Sequence, residues 1–192
     1  MGRPPRKAPR AASPRRAPTT PAAGTTPSFR VGIGADVHPL GLGRRLVLGG
    51  VEIRHDRGLA GHSDADVLAH AVCDAVLGAL GLPDMGSRFP ETDERYRGAS
   101  SLRFVEEAAA EARGHGFEIV NVDAVILAEA PRLQPHLAAM GENLARALGC
   151  EASRVSVKVK RPEGLGAIGR REGMMAQAVT LLAAPGGRQG RT

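Results

Sequence analysis

The sequence predicts an α/β fold, a two-layer α+β sandwich in which helices cover one face of a single mixed sheet. Short apolar stretches with period-2 alternation recur along the chain, and stretches with helical spacing of apolar residues lie between them. Their order is strand hairpin, helix, helix, strand, helix, strand, strand. With 192 residues, the chain is long enough for one domain with a buried core.

The first part of this pattern ends in a long helix. Period-2 alternation predicts a strand over 29–38, and the apolar residues of 46–53 flank Gly49-Gly50, which is typical of a two-residue hairpin turn. Apolar residues at helical spacing predict a helix over 64–80. Ser63 followed three residues later by Asp66 predicts a capping box at its start.

The second part alternates between helices and strands. Residues 174–183 are predicted as a strand, although a helix fits them nearly as well. The other predicted elements are an irregular Pro- and Gly-bearing loop over 83–98, a helix over 101–113, a buried strand over 118–129, a helix from Pro131 to about residue 148, a strand over 154–160 and a glycine-rich turn over 164–169.

The positive charge of the chain is confined to its start. The formal net charge is +6, but residues 1–28 contain six basic residues and no acidic one. The remaining residues therefore carry 20 basic and 20 acidic side chains. A neutral domain with five aromatic residues argues against a nucleic-acid-binding surface.

Other classes of protein are excluded as directly. No apolar stretch approaches the length of about 20 residues that a membrane span needs, and the start lacks the apolar core of a secretory signal. Cys73 and Cys150 stand far apart, without a C-x-x-C motif. We therefore expect a soluble, cytoplasmic protein with neither a membrane nor a nucleic acid as partner.

Residues 1–28 are predicted to be a disordered, basic, Pro/Arg-rich extension. They contain seven prolines and almost no bulky apolar residue, so they cannot offset the entropy lost on ordering. Three alternatives remain: a transit peptide, which would place the protein in a plastid, a polyanion-binding arm, and a stretch upstream of the true start. We expect a single domain over 29–184 and a flexible tail over 185–192.

A candidate metal site joins the first strand to the first long helix. Asp36 and His38 are two residues apart in an extended segment, so their side chains lie on one face, and His70 follows Asp66 by one helical turn. One carboxylate and two imidazoles are a typical ligand set for a catalytic divalent metal. His62, predicted at the positive end of the helix, suits an anion, and Asp66 is a candidate to orient a ligand imidazole.

Simpler interpretations exist for each of these residues. A lone histidine on an apolar helix face is often only a hydrogen-bonded core residue, and Asp66 is also a plausible helix cap. Two histidines with one carboxylate also suit non-haem iron. An iron oxygenase, however, is expected to be all-β and to have the order His-x-Asp, whereas this chain has Asp-x-His and long amphipathic helices.

The chain closely resembles the 2-C-methyl-D-erythritol 2,4-cyclodiphosphate synthase family over about residues 30–183. Many motifs occur in the family's order. They are Asp36-Val37-His38, Leu48-Gly49-Gly50-Val51, His62-Ser63-Asp64-Ala65-Asp66 with His70, Asp84-Met85-Gly86, Phe89-Pro90-Glu91-Thr92-Asp93, Asn121-Val122-Asp123, Ala130-Pro131-Arg132 with His136, and Gly169-Arg170-Arg171-Glu172-Gly173.

The resemblance implies a homotrimer with active sites between neighbouring subunits. The substrate would be 4-diphosphocytidyl-2-C-methyl-D-erythritol 2-phosphate, whose 2-phosphate attacks the β-phosphorus of the diphosphate. The reaction would form the cyclic diphosphate and release CMP, in non-mevalonate isoprenoid biosynthesis. The alternative is a catalytically weakened trimer of the same fold that only binds a nucleotide or metabolite.

The resemblance also implies roles for individual residues. Asp36, His38 and His70 would hold Zn²⁺ or another divalent cation, and Mg²⁺ or Mn²⁺ on the substrate diphosphate would contact Glu163. His62 and Arg161 would be catalytic. Substrate-binding residues would be Asp36, Val37, His38, His62, Ser63, Asp84, Met85, Gly86, Phe89, Pro90, Glu91, Thr92, Asp93, Ala128, Glu129, Ala130, Pro131, Arg132, Leu133, Gln134, Lys160, Arg161, Pro162, Glu163, Ala167 and Arg170.

The chain departs from the family pattern at the phosphate loop. Lys160-Arg161-Pro162 stands where the family usually has a run of threonines, and Ala167 replaces a usual aromatic residue. The resemblance places Arg170 and Glu172 along the trimer's central channel. We expect activity to survive, because the metal ligands and His62 are retained and a guanidinium also binds phosphate.

Overall fold

The structure is a computed structural model that describes residues 29–184. In chain order its elements are β1 (Phe29–Leu42), β2 (Leu46–Leu48), β3 (Val51–Ile53), β4 (Arg57–Leu59), α1 (Val67–Leu80), α2 (Met85–Arg88), α3 (Leu102–Gly114), β5 (Glu118–Leu127), α4 (Leu137–Leu148), β6 (Val155–Lys160), α5 (Gly166–Gly169) and β7 (Gly173–Ala183). The predictions for residues 1–28 and 185–192 lie outside the described residues.

One five-stranded mixed sheet forms the centre of the fold, as predicted. The strand order is β4-β1-β7-β5-β6, and β2 and β3 form the predicted hairpin beside it. The β5–β6 pair is parallel and the other pairs are antiparallel. Because β7 pairs with β1 on one side and β5 on the other, the helix alternative for 174–183 is excluded.

Helices α1, α3 and α4 cover one face of the sheet, also as predicted. The long helix α1 packs directly on β1 and β7, while α3 and α4 lie over β5 and β6. Two glycines of β1 permit this close approach: a Cβ on Gly34 would lie 2.1 Å from the Ala71 carbonyl oxygen. Glycine removes the side chain that would otherwise separate helix from strand.

The opposite face of β1 is apolar and exposed in the single chain. Val31, Ile33 and Val37 are 68%, 61% and 59% exposed, and Phe29 at the start of the strand is 62% exposed. A row of large apolar side chains on a sheet face is typical of an interaction surface.

Several predicted boundaries are wrong in detail. The helix predicted from Ser63 begins at Val67, because the buried carboxylate of Asp66, not the hydroxyl of Ser63, accepts the first helical N–H groups. The helix predicted from Pro131 begins at Leu137, after a 3-10 turn. The loop predicted over 83–98 contains α2 and another 3-10 turn, and the three residues of β4 were not predicted.

No helix within residues 29–184 is long and apolar enough to cross a membrane.

Candidate active site

Three potential metal ligands meet where β1 lies against α1. The Asp36 Oδ2 atom lies 2.8 Å from His70 Nδ1 and 3.0 Å from His38 Nε2, and the two ring nitrogens are 3.1 Å apart. Asp36 and His38 alternate with Val37 along β1, so both point towards the helices, where α1 presents His70. The structure thus brings together the three residues that the sequence predicted as metal ligands.

The hydrogen bonds behind each imidazole decide which nitrogen faces the site. His38 Nδ1 lies 3.0 Å from the carbonyl oxygen of Ala60, which can only accept, so the proton sits on Nδ1. His70 Nε2 lies 2.8 Å from Ser101 Oγ. His38 therefore offers the lone pair of Nε2, and His70 has its Nδ1 turned inwards.

This donor set fits a tetrahedral divalent metal. Around Zn²⁺, with metal–ligand distances of about 2.0 Å, neighbouring ligand atoms lie about 3.3 Å apart, close to the 2.8–3.1 Å found here. Asp36, His38 and His70 can hold a metal ion. When both imidazoles are neutral, with their protons on the outer nitrogens, the three inner atoms are all acceptors that repel one another, and a cation at their centre removes that repulsion.

The charges of the cluster also favour a cation. Burial raises the pKa of Asp36, but hydrogen bonds with His38 and His70 outweigh burial and hold the pKa well below its ordinary range. Burial lowers the pKa of His38, but the hydrogen bond and charge of Asp36 outweigh it and raise the pKa. A partly buried negative charge thus lies next to two imidazoles.

A cavity of about 230 Å³ opens beside the three ligands. Ten predicted site residues line it, namely Asp36, His38, His62, Ser63, His70, Asp84, Met85, Gly86, Phe89 and Glu91. Three further lining residues were not predicted from the sequence, namely Asp74, Tyr96 and Phe104. The ring of Phe89 stacks on Phe104 at 4.6 Å and meets Tyr96 edge-on, so the wall beside the metal ligands is aromatic.

Asp74 could have been predicted as a site residue from the sequence, because it follows the ligand His70 by one helical turn. Its Oδ1 accepts the Met85 N–H at 2.7 Å, which anchors the start of α2 next to the metal ligands. Burial raises the pKa of Asp74, against the opposing effect of this hydrogen bond. Asp74 thus positions the segment that contains Asp84 and Gly86.

Two predicted helper roles are corrected. Asp66 does not orient a ligand imidazole, because its carboxylate caps α1 and accepts the Gly50 N–H at 2.7 Å. His62 does not lie at the positive end of α1, since the helix begins only at Val67. His62 instead lines the cavity, with Nε2 held 3.1 Å from the carbonyl oxygen of Asp93.

A second group of predicted site residues clusters at the ends of β5 and β6. The carbonyl oxygen of Lys160 accepts the Ala128 N–H at 3.1 Å, which joins the ends of β5 and β6. Arg161 Nη2 lies 2.6 Å from Glu129 Oε1, and the Gly164 N–H reaches Glu129 Oε2 at 3.3 Å. The hydrogen bond and charge of Arg161 lower the pKa of Glu129.

This second cluster does not line the metal-side cavity of the same chain. Val37, whose side chain lies on the opposite face of β1, does not line it either. The same holds for the predicted residues Pro90, Thr92, Asp93, Ala167 and Arg170. Arg170 instead pairs with Glu172 at 2.7 Å. The predicted site residues are thus divided between two places in one chain.

Comparisons with known proteins agree with this geometry. The YgbB family pattern matches residues 29–183. The chain is 59% identical over 157 residues to the 2-C-methyl-D-erythritol 2,4-cyclodiphosphate synthase of Rubrobacter xylanophilus, covering 80% of this chain and 94% of that protein. It is 54% identical over 154 residues to the synthase of the same name from Desulfosudis oleivorans, covering 80% and 92%.

Solved structures have the same fold. The bifunctional IspDF of Campylobacter jejuni aligns with a TM-score of 0.78 and 41% identity, covering 82% of this chain and 42% of that one. The Plasmodium falciparum IspF–CDP complex aligns with a TM-score of 0.74 and 31% identity, covering 83% and 99%.

Proposed function

The chain belongs to the YgbB family, and we propose that its ligand triad and the adjoining cavity perform the reaction of a 2-C-methyl-D-erythritol 2,4-cyclodiphosphate synthase. The reaction converts 4-diphosphocytidyl-2-C-methyl-D-erythritol 2-phosphate to 2-C-methyl-D-erythritol 2,4-cyclodiphosphate and CMP, a step of isoprenoid biosynthesis. An oxygen of the 2-phosphate bonds to the β-phosphorus, and the bond from the β-phosphorus to the CMP oxygen breaks.

The convergence of Asp36, His38 and His70 is the observation that carries this proposal. Phosphoryl transfer within one molecule needs the two phosphates held against each other and their negative charge neutralised. The substrate supplies both nucleophile and electrophile, so no protein nucleophile is required. The site accordingly contains ligands for a cation and a shaped cavity.

We assign Zn²⁺ to the triad because two imidazoles and one carboxylate at these spacings suit tetrahedral coordination. A bound divalent cation supplies Lewis-acid charge that neutralises phosphate oxygens. A second cation, Mg²⁺ or Mn²⁺ on the diphosphate, is assigned to Glu163, whose carboxylate is a suitable hard ligand.

The cavity residues bind and orient the substrate in this proposal. His62 is fixed through Nε2, which donates to the Asp93 carbonyl, and as an imidazolium it would also donate from Nδ1 to a phosphate oxygen. Asp84 to Gly86 meet the methylerythritol hydroxyls, and Asp74 holds that segment through the Met85 N–H. The aromatic wall around Phe89 limits access of water to the phosphates.

We assign the second cluster to the cytidine and diphosphate of a substrate bound to a neighbouring chain. Residues 128–134 offer backbone groups at the end of β5, and Lys160 with Arg161 adds positive charge at the end of β6. Arg161 has five N–H donors, so its hydrogen bond to Glu129 leaves others for a phosphate.

A homotrimer follows from the same reasoning. The two clusters are separate within one chain, and the exposed apolar face of β1 offers a surface for assembly. Neighbouring copies would join the metal-side cavity of one chain to the phosphate and cytidine loops of the next.

The first test measures CMP release from the cytidylylated substrate by phosphorus NMR, with Zn²⁺ and Mg²⁺ present. We expect turnover by the full chain, and His38→Ala should lose both zinc and turnover. His115→Ala, a histidine on the surface at the end of α3, is the matched control and should keep both. Absence of CMP release by the wild-type protein with both cations present refutes the proposal.

The second test addresses assembly. We expect sedimentation equilibrium to give the mass of three chains for the wild type and a smaller mass for Ile33→Asp, with loss of CMP release. Ala110→Asp places the same charge on an exposed position of α3 and should change neither. A wild-type protein that is monomeric yet fully active contradicts the trimer assignment.

A further inference from the structure

Behind His70 lies a chain of hydrogen bonds that ends in a carboxylate. His70 Nε2 lies 2.8 Å from Ser101 Oγ, and the Ser101 hydroxyl contacts Asp64 Oδ1. The backbone N–H of Ser101 also donates to Asp64 Oδ2 at 3.1 Å. Ser101 is fully buried and His70 is 6% exposed, so water has little access to these contacts.

The direction of each hydrogen bond from Asp64 through Ser101 to His70 is fixed at the Asp64 carboxylate. An ionised carboxylate can only accept, so the Ser101 hydroxyl donates its single proton to Asp64. Ser101 Oγ therefore has only lone pairs left for His70, and His70 must donate from Nε2. The proton of the neutral imidazole is thus held on Nε2, and the Nδ1 lone pair faces Asp36 and His38.

We propose that Asp64 and Ser101 are positioning residues that set the tautomer and ring orientation of His70 for metal binding through Nδ1. The inference rests on the metal site of the proposed function, because it concerns how one ligand of that site is prepared. Neither residue touches the cavity, and both act through His70.

Neighbouring groups hold the pair in place. The Asp64 N–H donates to the carbonyl oxygen of Ala99 at 3.0 Å, which fixes the backbone of Asp64 next to the start of α3. Ser63 Oγ lies 3.1 Å from Ser101 Oγ and 3.3 Å from His70 Nε2, and it accepts the Ala65 N–H. A ligand with a locked ring loses less conformational freedom when the metal binds.

The substitution Asp64→Asn tests the proposal because it keeps the volume of the side chain. The Ser101 N–H donates to Asp64 Oδ2 at 3.1 Å and the Asp66 N–H donates to Oδ1 at 3.3 Å. The shorter of these hydrogen bonds favours the Asn oxygen at the Ser101 N–H, which turns the Asn NH₂ towards Ser101 Oγ. The Ser101 hydroxyl is then free to donate to His70 Nε2 at 2.8 Å, which is closer to it than Ser63 Oγ at 3.1 Å, and the imidazole proton moves to Nδ1. That proton occupies the position where the metal must bind.

The first readout is the tautomer of His70 in the metal-free full chain. Two-bond ¹H–¹⁵N NMR at mildly alkaline pH, where a free imidazole is neutral, distinguishes the two ring forms. We expect the Nε2–H form in the wild type and the Nδ1–H form in Asp64→Asn. Ser100→Ala removes a hydroxyl from the neighbouring exposed position and should leave the wild-type form.

The second readout is Zn²⁺ affinity, measured by competition with a chromophoric chelator. We expect Asp64→Asn and Ser101→Ala to bind Zn²⁺ about 10- to 100-fold more weakly, as is usual when the partner of a ligand histidine is lost. Ser100→Ala should bind like the wild type. Circular dichroism of each variant reports whether it is folded, and the isosteric Asp64→Asn carries the test if Ser101→Ala does not fold.

Two results would overturn the inference in distinguishable ways. If the wild type binds Zn²⁺ and releases CMP while folded Asp64→Asn keeps its His70 tautomer and Zn²⁺ affinity, the positioning role is wrong and the proposed function stands. If the wild type binds no divalent cation, both the positioning role and the metal-dependent function are wrong.

Discussion

Replacing Gly34 by alanine tests whether the fold depends on direct contact between β1 and α1. A Cβ at this position would lie 2.1 Å from the Ala71 carbonyl oxygen and 2.6 Å from the Ala75 nitrogen. Ordinary van der Waals contact begins near 3.4 Å, so α1 must retreat by about 1.3 Å. Both opposing atoms belong to the backbone of a helix and cannot rotate away.

We expect Gly34→Ala to lower the free energy of unfolding by about 3 kcal/mol, the upper part of the range for overpacked cores. The same retreat separates Asp36 and His38 on β1 from His70 on α1, so Zn²⁺ affinity should fall as well. Urea unfolding followed by circular dichroism, at one protein concentration for all variants, measures the stability change.

Gly78→Ala is the matched control, since it makes the same chemical change on α1. There the new Cβ would meet only the Ile33 carbonyl oxygen at 3.5 Å, and an exposed helical glycine costs about 1 kcal/mol relative to alanine. Gly78→Ala should therefore stabilise the protein. A Gly34→Ala protein within about 1 kcal/mol of the wild type would refute the reasoning about direct contact.

Three further predictions concern the site and the N-terminal extension. Burial raises the pKa of Asp74 in the folded protein, so its ionisation lowers the stability of the fold as pH rises through that pKa. Asp74→Asn still accepts the Met85 N–H but cannot ionise, so it should melt at a higher temperature than the wild type at neutral pH. In acid, where Asp74 is protonated, the difference in melting temperature should vanish. Melting curves across pH check this, and a difference that grows in acid contradicts it. Arg161→Ala should change the free energy of unfolding by less than about 1 kcal/mol, because the ion pair of Arg161 with Glu129 is partly exposed. The same substitution should lower kcat/KM about tenfold or more in the CMP assay. An unchanged kcat/KM would show that Arg161 does not contact the substrate. Deleting residues 1–28 should leave CMP release unchanged, and a large loss of turnover would assign the extension a role in catalysis.

Local patterns in the sequence predicted most of the fold. The alternation of β6, the Gly49-Gly50 turn and the apolar spacing of α1 are each encoded within a few neighbouring residues, and all three are confirmed. The start of α1 was misplaced because Ser63 and Asp66 are both good cap residues. Only the packed structure shows that Asp66 also serves the β2–β3 hairpin through Gly50, which favours Asp66 as the cap.

The metal ligands were predictable because two lie on one strand face and the third lies one helical turn from a cap residue. The residues that hydrogen-bond to His70 from behind could not be predicted in this way. Asp64 and Ser101 are 37 positions apart, and serine at a helix start is common, so no local pattern connects them to His70. Such contacts follow from how α3 packs against the start of α1, which is a tertiary property.

The alternation of β1 has a consequence for how this chain can change over evolutionary time. Odd-numbered side chains such as Val31 and Ile33 point to the exposed face, and even-numbered ones such as Asp36 and His38 point to the ligand site. A single residue inserted or deleted between Ile33 and Asp36 would turn the side chains on one side of the change to the opposite face, either the apolar row or the ligand pair. Variation along this strand is therefore restricted to exchanges of one residue type for another, while its length stays fixed.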